Sequence, residues 1–109
     1  MINTSDILAR VRSAAGIRVL YLPHAVRQML RPDRMITTKE VRQVIADGVL
    51  VEDYPEDSRG HSCLIAGRCD RGRPIHLVCA PKGDFLAVIT AYAPDSDEWS
   101  KDFTVRIKK

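Results

Sequence analysis

A chain of 109 residues has room for one domain, since domains mostly run from about 50 to 250 residues. With 45% hydrophobic and 28% charged residues it is composed like a globular protein and not like a disordered one. No stretch approaches the roughly 20 apolar residues that cross a bilayer, and the start MINTSDILARVRS lacks the apolar run of a secretory signal, so the reading is a cytoplasmic protein without a membrane partner. The net charge of +3 is unevenly placed: residues 1–48 hold eight Arg/Lys against four Asp/Glu, and residues 49–109 hold nine against ten. The basic first half is nearly all arginine, whose planar fork suits phosphate and carboxylate.

The first element is a helix over residues 5–15, SDILARVRSAA, with Ile7, Leu8, Val11, Ala14 and Ala15 on one face and Gly16 as its stop. The piece IRVLYL reads as short and extended. PHAVRQML opens a second helix on Pro23, suited to the first helical position, with an apolar stripe of Val26, Met29 and Leu30 and an end at Pro32. In TTKEVRQVIADG, Thr37 and Glu40 have capping-box spacing, Val41, Val44 and Ile45 face the core, and Gly48 closes the helix.

After Gly48 the period becomes extended. Strands are expected near 49–54, 62–69, 73–80 and 84–93, separated by the turn-rich PEDSRGH, DRG and PKG. Helices first and an antiparallel meander after them make an α+β domain. If PKG forms a three-residue loop, Ala80 stands opposite Asp84 and His76 opposite Val88. Ile75, Leu77 and Cys79 then share an apolar face with Phe85, Ala87, Ile89 and Ala91, against the helices. His76, Val78, Leu86, Val88, Thr90 and Tyr92 form the other face.

Three cysteines (Cys63, Cys69, Cys79) at unrelated spacings are no disulfide framework and read as buried thiols. A zinc set can be drawn from His61, Cys63, Cys69 and His76, but no C-x-x-C pair is present and the expectation is no metal and no cofactor.

Several segments resemble a bacterial family catalogued as domain of unknown function 4258: LPHAVRQML, ITTKEVRQVIADGVLVEDYPED, RPIHLVCAPKGDFLAVITAYAPDSDEW and the late Arg106. The resemblance covers roughly residues 20–106 of a single domain spanning 1–109, and leaves the N-terminal helix (1–16) outside. It implies a neighbour encoded as a small antitoxin-like protein. It also implies a layout similar to RelE-type and BrnT-type ribonuclease toxins, in which helices cover one sheet face and the other face cuts RNA. The matching positions are His24, Glu52, Tyr54, His76, Thr90, Tyr92 and Trp99.

Cutting RNA without a metal requires proton transfer to and from oxygen and cations that hold the developing phosphorane charge. Histidine serves both proton roles near neutral pH. The expectation is therefore a metal-independent endoribonuclease toxin, or a degenerate relative of one. His24 and His76 are its acid–base residues, Tyr92 orients, and Arg27, Arg31 and Arg73 hold phosphate. Each residue also has a plainer reading: His24 as a surface or capping residue, His76 as a hydrogen-bonded core histidine, and the arginines, with Arg34, as a solvated face. Glu52 would pair with an arginine, and Trp99 would anchor the C-terminal segment. The rival function is a non-catalytic module that binds a small antitoxin-like or regulatory protein. The strands supply only Arg68 and Arg73 as basic groups, which favours that rival.

Overall fold

A computed structural model of the chain describes residues 4–69 and 72–107. Helix α1 (Thr4–Ala15) is followed by strand β1 (Val19–Tyr21), helices α2 (Pro23–Met29) and α3 (Thr38–Asp47), and strands β2 (Val49–Tyr54), β3 (Ser62–Arg68), β4 (Pro74–Pro81) and β5 (Leu86–Tyr92). Of the DRG turn, Asp70 and Arg71 lie outside the described residues. None of the described helices is long and apolar enough to cross a membrane.

The α+β class holds, but the sheet has five strands, not four, in the order β1-β5-β4-β3-β2. Strands β2 to β5 form the expected antiparallel meander, and β1 adds to it parallel to β5. IRVLYL supplies the extra strand because β5 would otherwise expose an unpaired edge. Leu86 N–H donates to Arg18 O (2.8 Å) and Leu22 N–H to Val88 O (3.0 Å), which closes that edge.

The helices cover one face. Ile7, Val11 and Ala14 of α1, Ala25 and Met29 of α2, and Val41, Val44 and Ile45 of α3 pack with Cys63, Ile65, Ile75, Leu77 and Cys79. The capping box of α3 forms in full: Glu40 N–H donates to Thr37 Oγ1 (3.1 Å) and Thr37 N–H to Glu40 Oε1 (3.0 Å). Arg12 of α1 then serves the other end of α3, donating to the carbonyls of Ile45 (2.8 Å) and Gly48 (3.0 Å). Gly48 is required for lack of space: an added Cβ would come within 2.5 Å of Val44 O and 2.8 Å of Ala66 O. Gly48→Ala is expected to cost about 2 kcal/mol through overpacking, read by urea unfolding.

The expected hairpin register does not hold. Pro81 stays in the ladder opposite Leu86, so the connection is Lys82–Phe85, with Lys82 N–H donating to Phe85 O (2.9 Å) and Gly83 at φ +95°. This displaces Leu86 and Val88 onto the helix-covered face beside Cys79, where Phe85, Ala87 and Ile89 were expected. The ladder then slips by one residue between Val78↔Thr90 and Cys79↔Val88, leaving Ile89 as a bulge. The bulge restores the alternation, so His76 faces away from Ile75 and Leu77 and shares its side with Thr90 and Tyr92, as expected. Its direct partner is Tyr92 instead of Val88.

A second bulge lies at Val51, between Leu50↔Ile65 and Glu52↔Leu64. Leu50 packs toward the helices, and without the bulge Glu52 would follow it. The extra residue re-aims Glu52 and Tyr54 to the face that carries His76.

Candidate functional site

Two regions hold unusual groups: the sheet face of His76 and the outer side of α2. On the first, the segment after β5 folds over the sheet. Asp102 builds its turn, accepting from Ser100 Oγ (2.7 Å) and Thr104 N–H (3.2 Å), and Phe103 adopts φ +62°. Trp99 and Arg106 pair as an isolated bridge. Trp99 is 3% exposed, as expected of an anchor, and the strap it pins closes over His76, which is 0% exposed.

Both imidazole nitrogens are engaged. Nε2 lies 2.7 Å from Phe103 O, a pure acceptor, so Nε2 carries the hydrogen. Nδ1 therefore accepts from the Tyr92 hydroxyl at 3.1 Å. The ring also meets Trp99 edge-on, with centroids 4.4 Å apart and planes at 87°. Burial lowers the His76 pKa, opposed by the Phe103 carbonyl, so the neutral ring is the stable form. Burial likewise raises Tyr92.

Around this ring lies an ionic network. Arg106 grips Glu52 through Nε (2.8 Å) and Nη2 (3.1 Å), and Tyr54 donates to the same carboxylate. Arg106 lowers the Glu52 pKa, with Tyr54 adding to the effect. Burial and the Glu52 charge push Tyr54 up to about 12. The Arg106 guanidinium also lies 4.7 Å from the Trp99 ring centroid, so the cation secures both the strap and the carboxylate. A cleft of about 320 Å³ opens beside His76, lined by Arg68, Pro74, Asp102, Phe103 and Thr104 among others. Proton transfer there would require His76 to release the Phe103 carbonyl or the Tyr92 hydroxyl.

The other expected site residues are elsewhere. His24 is exposed on α2, which packs through Ala25 and Met29 on the opposite side of the sheet. His24 and His76 are thus separated, while His76 and Tyr92 are together. Arg27 is exposed, and Arg31 pairs with Asp33 (3.3 Å) at the surface. Arg73 is consumed in the fold: it binds Glu40 (2.8 Å) and the carbonyls of Arg34 and Met35. Of the drawn zinc set, Cys63 lies on the helix-covered face, opposite His76. His61 is held by Asp53 (2.5 Å) and Arg10 (3.2 Å). The Cys79 thiol is pushed up by its hydrogen bond with Cys63 and by burial, which leaves it inert.

The second region is the apolar stripe of α2. Met29 is buried, but Val26 is 40% and Leu30 63% exposed, and Met35 is 58% exposed on a residue with φ +48°. A non-glycine residue held there is strained, and the two hydrogen bonds from Arg73 to the Arg34 and Met35 carbonyls hold it. These side chains border a mostly apolar groove of about 360 Å³ with Tyr21, Met29, Ile36, Thr37 and Thr38. Among the described residues the buried Tyr21 hydroxyl has no hydrogen-bond partner. Sequence periodicity indicated an apolar stripe here, not that it stays uncovered.

A family model described as a domain of unknown function (DUF4258) matches residues 21–93. The match takes in α2, the groove, Glu52, Tyr54, His76 and Tyr92, and leaves out α1 and the strap with Trp99, Phe103 and Arg106. No curated protein and no solved structure matches the chain.

Proposed function

Since the chain belongs to this family, whose description names no activity, we propose from its own geometry that it is a non-catalytic module that binds a small antitoxin-like or regulatory protein. The observation that carries the reading is the groove beside α2, where the exposed apolar side chains of Val26, Leu30 and Met35 stand together. Grouped exposed apolar side chains are characteristic of binding surfaces. The closed state of His76 and its separation from His24 support the same reading from the catalytic side. The partner class comes from the family resemblance.

A second reading, the metal-independent endoribonuclease or a degenerate relative of one, draws on one observation: His76, Tyr92, Glu52, Tyr54 and Arg106 gather on one sheet face. RNA would then be the substrate, and the strap would have to lift. Expression of the chain alone in a bacterial host separates the two. The binding module leaves growth and cellular RNA unaffected. RNA fragmentation that Tyr92→Phe abolishes, with melting of that variant unchanged, would overturn it. A lost proton-transfer or orienting group typically costs about 10²–10⁴ in rate, well above the background of such an assay.

A further inference from the structure

Resting on the binding-module reading, we infer that the groove beside α2 takes an acidic amphipathic helix, its apolar stripe seated between Val26, Leu30 and Met35 and its carboxylates on the surrounding basic side chains. Val26 and Leu30 are four residues apart and both point to solvent, forming one ridge along α2. A ridge of i, i+4 side chains is the surface on which a second helix packs, and helix-in-groove recognition reads anchors at i, i+3, i+4 and i+7. A β-strand is the poorer occupant: the neighbouring sheet edge, β1, offers only three residues.

Charge decides the partner's sign. Residues 23–42 hold Arg27, Arg31, Arg34, Lys39 and Arg42 against Asp33 and Glu40. Both carboxylates are already engaged, Asp33 by Arg31 and Glu40 by Arg73. Arg27, Lys39 and Arg42 make no salt bridge among the described residues. A second copy of this chain does not fit, because a two-fold contact through this patch would set the basic side chains against themselves.

The test uses the full chain and a synthetic peptide of about 18 residues, long enough to hold a helix, with leucines at i, i+3, i+4 and i+7 and glutamates elsewhere. A matched peptide carries lysines in place of the glutamates. Fluorescence anisotropy should show saturable binding of the acidic peptide, weakened in high salt, with the lysine peptide at least about tenfold weaker. Leu30→Asp and Met35→Asp, both at exposed positions, should raise Kd by about tenfold or more without shifting Tm. Equal binding of the two peptides, no saturation by about 1 mM, or indifference to Leu30→Asp would overturn the inference. So would preferential capture of the chain by phosphatidylglycerol vesicles, which would make the patch a membrane surface. RNA fragmentation by the same preparation would instead sink the binding-module reading, whatever the peptides do.

Discussion

Trp99→Ala is expected to lower stability by about 4 kcal/mol, within the range for truncating a buried aromatic, and to open the strap over residues 94–107 to protease. Trp99 is 3% exposed and makes three separate contacts, two of them through its indole. It meets the His76 ring edge-on at 4.4 Å, takes the Arg106 guanidinium over its face at 4.7 Å, and pairs with Arg106 through the backbone. The strap has no helix or strand of its own, and its other ties include the Glu52–Arg106 pair, the Phe103 carbonyl on His76 and the Asp102 turn. Arg106 is 63% exposed along its side chain, and an exposed pair contributes little, so the indole dominates. For a domain of this size the loss should appear as a fall of roughly 20 °C in Tm. The helix-covered core lies on the other face and should survive, leaving far-UV circular dichroism near that of the parent protein. With the strap loosened, His76 should regain water, and its pKa, followed by NMR, should rise toward the ordinary value near 6.5. A loss under about 1.5 kcal/mol with unchanged proteolysis would show that the strap does not depend on Trp99.

The features legible in the sequence were those whose determinants lie close together in the chain. The capping box of Thr37 and Glu40, the stop at Gly48 and the inward face of α1 each follow from residues a few positions apart, and all appear in the structure. Strand alternation also placed His76, Thr90 and Tyr92 together. It did so even though the hairpin differs, because the displaced connection and the Ile89 bulge together preserve the alternation at that end. IRVLYL was legible as an extended piece but not as a fifth strand, because β1 finds its partner only in β5, at the far end of the fold. Neither bulge has a local mark: VLVEDY and LAVITAY hold no Gly or Pro, and Val51 resembles any strand valine. The Phe103 carbonyl on His76 is a backbone group 27 residues away in an irregular segment, so no side-chain pattern announces it. The exposure of the α2 stripe was illegible for another reason. Periodicity shows which side of a helix is apolar, and it cannot show whether the rest of the chain covers that side.

His76→Ala should cost about 3 kcal/mol at neutral pH, and the pH dependence of that cost tests the protonation state assigned to the ring. The substitution removes a fully buried side chain and strands two polar groups, the Phe103 carbonyl and the Tyr92 hydroxyl. Burial holds the folded pKa below the unfolded value of about 6.5. Above that value both states carry a neutral imidazole, and the ring contributes its full stability. As pH falls below about 6.5 the unfolded chain takes up a proton that the folded chain refuses, so stability is lost until the folded pKa is reached. Glu52 acts in a lower window. Its folded pKa is depressed by Arg106, so its contribution holds above the unfolded carboxylate value near 4.3 and is lost as pH falls through the folded one. Urea unfolding from pH 7.5 to 5 should therefore show a steeper acid loss in the parent protein than in His76→Ala, and the gap between the two should narrow toward pH 5. Parallel profiles over that range would contradict the neutral, doubly hydrogen-bonded ring. A ring that must stay neutral to remain folded gains nothing from changing its protonation state, which is the opposite of what a general acid requires. A narrowing gap would thus place His76 among the residues that hold the strap.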